Sequence, residues 1–308
     1  MKSDKLKYVL DDDIGNIMVR KLVFSGWLGI AIFTQGICAQ EFDDVDIILH
    51  PVSENIYYIE GRGGNIGLLY GDDGILLVDD QYAPLTTKIT DAIKQLSIQP
   101  VRYIINTHMH PDHTGGNENF GRLGAIIVGH ENVRSQMIKA GYSQTPPFVT
   151  FSEDVTFHIN DEVVHVFKVP NAHTNNDSFI RFKNANVIHT GDVFRSESYP
   201  YIDVNNGGSF LGTIKAYELL VKIINQNTKI IPGHGKVVKY DRLMEALDML
   251  YEIKKRIIKL LSEEFTIEQI LEKEITLDYD MKWDNGRRIG GPNGLIGVAA
   301  KELNIGNL

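Results

Sequence analysis

The chain has 308 residues but only one cysteine, Cys38, and ten prolines. A single thiol rules out a disulfide-stapled miniprotein, and the low proline count rules out collagen-like and low-complexity architectures. Basic residues are in the minority: 31 Lys and Arg face 40 Asp and Glu, a formal charge of −9. A dedicated nucleic-acid binder carries a basic face, so that class is disfavoured. Long hydrophobic runs are scarce as well. The apolar stretch over residues 22–33 is too short to span a bilayer comfortably. What is there is ordinary globular material, 43% hydrophobic and 23% charged, enough for a large buried core. The length suits one large domain or two small ones.

The N-terminus reads as an address. Residues 1–17 are polar, with an acidic run at Asp11-Asp12-Asp13. A second Met, Met18, opens a different pattern: Arg20 and Lys21, then the apolar run, then small residues ending at Cys38-Ala39. This is the order of a secretory signal, with cleavage expected after Ala39 and a periplasmic or secreted mature protein. Cleavage there removes Cys38, which suits an oxidising compartment and leaves neither a Cys nucleophile nor Cys metal ligands. The expected organisation is residues 1–39 as extension and signal, and residues 40–308 as one domain with a helical C-terminal extension. No stable membrane insertion is expected after cleavage.

Residues 56–60, 65–70 and 74–79 are apolar runs between Gly-rich turns and read as a strand meander. Residues 84–96 read as a helix opened by Pro84, with Leu85, Ile89, Ile93 and Leu96 on one face. Strands are expected at 101–106, 125–129, 155–169, 177–182, 186–189 and 229–231, and helices at 210–224 and 242–261. Ser209 is placed to cap the first of those two helices. Strand groups with helices outside them point to an α/β fold of two sheets under helix layers.

The chemistry concentrates in Thr107-His108-Met109-His110-Pro111-Asp112-His113-Thr114-Gly115-Gly116. Four potential metal ligands fall within six residues, directly after a strand. In extended chain, residues two apart project to one side, so His108 and His110 can grip one ion. Asp112 and His113 lie beyond a stiffening Pro and can face a second. Further candidates sit at strand ends beside Gly or Pro: His173, Asp192 in Thr190-Gly191-Asp192, and His234 in Pro232-Gly233-His234. Imidazole with carboxylate suits zinc. His50, His130, His158, His165 and His189 lack such company and read as structural or surface residues.

The pattern His-x-His-x-Asp-His followed by a His, an Asp and a His resembles the metallo-β-lactamase-fold hydrolase superfamily, over about residues 45–240. The resemblance implies an αββα four-layer sandwich, two mixed sheets covered by helices, with the site at one edge. It implies a first zinc held by His108, His110 and His173, a second by Asp112, His113 and His234, and Asp192 bridging them. Asp79 matches the family's early Asp, which orients a ligating His. Two zinc ions about 3.5–4 Å apart then share a hydroxide that attacks a carbonyl. Asp112 and Asp192 are the expected catalytic carboxylates, Asp112 by orienting that water or taking its proton.

Asp192 helps to choose among branches. True class B β-lactamases have Cys or Ser where this chain has Asp192, and the flavodiiron branch has Glu in place of His110. The expected activity is hydrolysis of a small ester, lactone, thioester or amide, with a small-molecule substrate and no nucleic-acid partner. The alternatives are class B-like β-lactam hydrolysis, an iron-dependent persulfide dioxygenase, which shares part of the ligand set, and a non-catalytic zinc-binding protein. Candidate pocket walls are the turn 61–64, the loop 141–148 and residues 194–201, with Tyr199 and Tyr201 as candidate substrate contacts. Residues 266–308 hold nothing that looks catalytic and are expected to pack on the domain or mediate contacts.

Overall fold

A computed structural model describes residues 42–284 and 291–305. The signal-like segment, including Met18, Cys38 and Ala39, lies outside the described residues. Internal contacts divide the chain into residues 1–44 and residues 45–308. The following concerns the second unit.

Its first sheet has seven strands in sequential order: β1 (Ile48–Pro51), β2 (Ile56–Glu60), β3 (Ile66–Leu69), β4 (Ile75–Val78), β5 (Val101–Asn106), β6 (Ile126–His130) and β7 (Val149–Phe151). Strands β1 to β4 run antiparallel and β4 to β7 parallel, so the sheet is mixed. The second sheet runs in the order β12 (Lys229–Ile231), β11 (Val187–His189), β10 (Ser178–Phe182), β9 (Glu162–Lys168), β8 (Asp154–Ile159). It is antiparallel except for the parallel β11–β12 pair.

Alternation decides the layers. Leu76, Val78 and Ile105 point from the first sheet, and Val164, Val166, Ile180 and Phe182 from the second, into one shared apolar layer. Their neighbours Leu77 and Ile104 are equally buried, because the outer face of the first sheet is covered too. After α1 (Thr86–Ile93) and α2 (Pro111–Thr114), α3 (Asn117–Arg122) packs on β6, and α4 (Glu131–Ala140) on β6 and β7. The outer face of the second sheet packs Phe179, Ile188 and Ile230 against α5 (Phe210–Ile223) and α6 (Tyr240–Ser262). This is the αββα sandwich expected from the sequence.

The C-terminal segment joins the same outer cluster. Helices α7 (Ile267–Leu271), α8 (Leu277–Trp283) and α9 (Pro292–Ile305) contribute Ile270, Trp283, Leu295, Ile296, Ala299 and Leu303 to it. Ser209 caps α5 as expected, accepting from Gly212 N at 2.9 Å. Its hydroxyl also donates to Glu302 at 2.6 Å, tying α9 to the start of α5.

Candidate metal centre

The strands deliver loops to one end of the sandwich. The segment after β5 carries His108 to Gly116, the β9–β10 connection carries His173, the turn after β11 carries Asp192, and the turn after β12 carries His234. The β2–β3 turn and the turn after β4 meet them: Gly64 N donates to Asp112 O and Asp80 N to His113 O. Pro111 opens α2, so Asp112 and His113 sit on a short helical turn while His108 and His110 precede it in open chain.

All seven expected ligands converge. His108, His110 and His173 form one group of facing ligand atoms, and Asp112, His113 and His234 another. In the first group, His110 Nδ1 lies 3.1 Å from His108 Nε2 and 2.9 Å from His173 Nε2. The outer partners assign the protons. His110 Nε2–H donates to Asp203 at 2.9 Å, and His173 Nδ1–H to the Tyr201 carbonyl at 2.7 Å. Thr107 Oγ1 spends its own hydrogen on Asp79 Oδ2 and so accepts from His108 Nδ1–H at 2.9 Å. The three inner nitrogens therefore present lone pairs to one another, an arrangement that repels unless a cation lies between them.

The second group follows the same logic. His113 Nδ1–H donates to Asp79 Oδ2 at 2.7 Å, leaving Nε2 to face inward. Asp112 Oδ2 lies 3.6 Å from His113 Nε2 and 3.3 Å from His234 Nε2. Asp192 stands between the groups. Its Oδ1 is 3.2 Å from His113 Nε2 and 3.3 Å from His234 Nε2, while Oδ2 is 4.0 Å from His173 Nε2. His113 Nε2 and Asp192 Oδ1 are buried without a hydrogen-bond partner among the described residues. Such orphaned atoms are costly in a protein interior, and a metal ion satisfies both. The donor set, imidazole with carboxylate, fits zinc.

Protonation agrees. Burial and the rings of His113, His173 and His110 hold the His108 imidazole well below its ordinary range. Burial takes His173 down to about 4. Both are neutral, as ligands must be. Burial opposes the Asp112 carboxylate, but His113 and His234 bring it to about 2. Burial likewise opposes Asp192, and His234 and His113 hold it well below the carboxylate range. His113 and His234 are raised despite burial, chiefly by Asp112 and Asp192 around the first and Asp192 beside the second. Metal uptake at these two rings therefore displaces protons.

The pocket walls divide. Gly64 lies against the site: a Cβ there would fall 2.1 Å from His113 Cε1. Tyr142, on the loop 141–148, feels Asp203 and Asp112, which add to burial in raising its phenol. The Tyr201 ring lies tilted at 58° to that of His173, with the centroids 5.6 Å apart. Tyr199 is corrected as a substrate contact. It is fully buried, and its hydroxyl donates to Asp280 at 2.7 Å, anchoring the C-terminal segment. The five remaining histidines stay outside both groups. His130 caps α4, accepting from Asn132 N, and His189 is fully buried with both nitrogens bonded. Sequence reasoning missed Asp203, the Tyr201 carbonyl, Thr107, Asn65 and Gln81. It also missed Arg195, a buried side chain beside His234 whose Nε has no partner among the described residues.

The metallo-beta-lactamase superfamily model matches residues 59–235, which hold every residue of both groups. A hydroxyacylglutathione hydrolase of Pelagibacter ubique (strain HTCC1062) is 27% identical over 184 residues, 57% of this chain and 71% of that protein. A metallo-beta-lactamase from Pontibacter korlensis superposes with TM-score 0.60 at 20% identity, over 67% of this chain and 99% of its own. The FIM-1 metallo-beta-lactamase of Pseudomonas aeruginosa, solved in a mono-zinc form, gives 0.59 at 16% identity, over 68% and 96%. At these identities the two structures share the fold.

Proposed function

Because the chain belongs to the metallo-beta-lactamase superfamily, we propose that it is a dinuclear zinc hydrolase acting on the carbonyl of a small ester, lactone, thioester or amide. The observation that supports this most is the placement of Asp192, one carboxylate with an oxygen toward each of two ligand groups. His108, His110 and His173 would hold one ion; Asp112, His113 and His234 would hold the other; Asp192 would touch both. When bound, such a pair supplies Lewis acidity at the attacked oxygen and the means to ionise water near neutral pH.

The chain's own residues do the rest. Asp79 fixes the His113 ring and, through Thr107, the His108 ring. Asp203 and the Tyr201 carbonyl select the ligating nitrogens of His110 and His173. Asp112 is the most exposed carboxylate of the set, ionised at neutral pH, and is placed to orient a water or accept its proton. Tyr142 lies near enough to Asp203 and Asp112 to feel their charge, and the Tyr201 ring lies 5.6 Å from that of His173, so both are candidate substrate neighbours. The relative from Pelagibacter ubique is by name a hydrolase of a glutathione thioester, which puts thioesters first among substrates to try.

We also propose export. It rests on the charged, apolar and small-residue order of residues 18–39, with a cleaved product that does not stay in the membrane. Among the described residues no helix is long and apolar enough to cross one. A small-molecule substrate is the proposed partner, and the acidic balance argues against nucleic acid.

The test joins a metal count on the purified chain with initial rates on a panel of thioesters, lactones, aryl esters and β-lactams. About two zinc per chain and turnover of at least one carbonyl substrate are expected. One iron per chain, with oxygen consumed on a persulfide, would replace this reading by a dioxygenase. A folded zinc protein inert on the whole panel would leave it non-catalytic.

A further inference from the structure

The two ligand groups are supported in different ways. In the first, each ring has its own outer partner: Thr107 for His108, Asp203 for His110, the Tyr201 carbonyl for His173. In the second, Asp79 holds the His113 ring, and the backbone beside Asp112 and His234 leans on one dipeptide of the β2–β3 turn, Gly64-Asn65. Gly64 N donates to Asp112 O at 3.0 Å, and the Gly64 carbonyl is held by Gln81 Nε2 at 2.8 Å. The bare Gly64 Cα admits the His113 ring.

Asn65 reaches the remaining member, His234, and, through His189, the residue before the shared Asp192. Its backbone N donates to Gly233 O at 2.7 Å. Its side-chain Nδ2 donates to Pro232 O at 2.9 Å and to Gly235 O at 2.8 Å, so the turn around His234 is gripped on both flanks. The Asn65 carbonyl accepts from His189 Nε2–H at 3.0 Å. His189 Nδ1 in turn accepts from Gly191 N at 3.1 Å, next to Asp192. Gly233 closes the loop by donating to Gly191 O at 2.8 Å. Asn65 and His189 are both buried. Among the described residues neither is hydrogen-bonded to Thr107, Tyr201 or Asp203.

We propose that Asn65 and His189 are positioning residues for the His234 turn of the second ligand group, setting the affinity of its ion while the first group's ion stays with its three separately held rings. The proposal rests on the two-ion reading above. It is physical because backbone carbonyls on both sides of His234 are neutralised by one amide, and a ligand turn freed of that amide loses the fixed geometry metal binding requires.

The experiment is a competitive zinc titration against a chromophoric chelator, with metal counted by mass spectrometry after dialysis. It compares the wild-type chain with Asn65→Ala, His189→Leu and His189→Gln, each checked by circular dichroism. The wild type should hold two ions. Asn65→Ala and His189→Leu should keep one at unchanged affinity and bind the other about 10–100-fold more weakly. His189→Gln keeps a donor for the Asn65 carbonyl and should recover part of the loss. Two ions of wild-type affinity in both loss variants would overturn the proposal, as would equal weakening of both ions. If Asn65→Ala does not fold, the His189 pair decides by the same readout. A wild type that takes up one ion would overturn the two-ion reading itself, before any variant is compared, and this proposal with it.

Discussion

Opposite ends of the same strands treat their carboxylates differently. Away from the metal centre, the turns at 53–55, 70–73, 160–162 and 184–185 form a groove lined by Glu54, Asp72, Asp73, Asp161 and Glu162. It too is rich in acids. Yet Glu162, as buried as Asp192, accepts from Val163 N, Asn184 N and Ala185 N, and Asp73 accepts from Asn160 N. Those carboxylates are consumed in closing turns. At the ligand end, lone pairs face lone pairs, and His113 Nε2 and Asp192 Oδ1 are left over. A gathering of acids marks a site only where donors have been withheld from it.

Four substitutions sharpen or break that contrast. The largest effect is expected from His108→Ala, which removes an inward lone pair. Metal content should drop, and hydrolysis should fall to the level of chelator-treated wild type, read by metal analysis and initial rates. Retained activity would mean that the first group is not the reaction centre. Asp79→Asn comes next. It puts an amide where a buried carboxylate receives Thr107 N, Thr107 Oγ1 and His113 Nδ1. A loss of about 10–100-fold in activity with partial metal retention is expected, and a silent variant would show that Asp79 does not orient these rings.

At the other end, Glu162→Gln sets an NH₂ against backbone donors. It should cost about 1–3 kcal/mol in a urea titration and leave metal content and kcat/KM alone. A change in bound metal would erase the distinction between the ends. The smallest effect is expected from Tyr199→Phe, which loses one hydrogen bond to Asp280, worth about 1 kcal/mol. Turnover should not move; an altered KM would return Tyr199 to the substrate pocket.

Much of this was legible in the chain, for reasons that differ by element. Strands such as Ile75–Val78 and Val101–Asn106 are apolar runs bounded by Gly or Pro, so burial itself wrote them into the sequence. The edge strands Ile48–Pro51 and Val149–Phe151 are short and mostly exposed, and carry no period. Helix Pro292–Ile305 holds Gly294 and Gly297, poor helix formers, and takes its stability from packing on α5 and α6 instead. The seven ligands could be read because a metal centre demands titratable side chains of fixed type. Their supports could not. The Tyr201 carbonyl is a backbone atom that any residue offers, Asp203 has no marked spacing from His110, and Asn65 acts on backbone groups far along the chain. His189 has no metal-ligand signal in the sequence and lies in neither ligand group; its position between Asn65 and Gly191 is visible only in three dimensions.

The most direct test of the central claim is a zinc-edge anomalous diffraction map of crystals grown with zinc. Two peaks are expected, one among His108, His110 and His173 and one among Asp112, His113 and His234, with Asp192 between them. A single peak, or zinc bound away from these residues, would contradict the account.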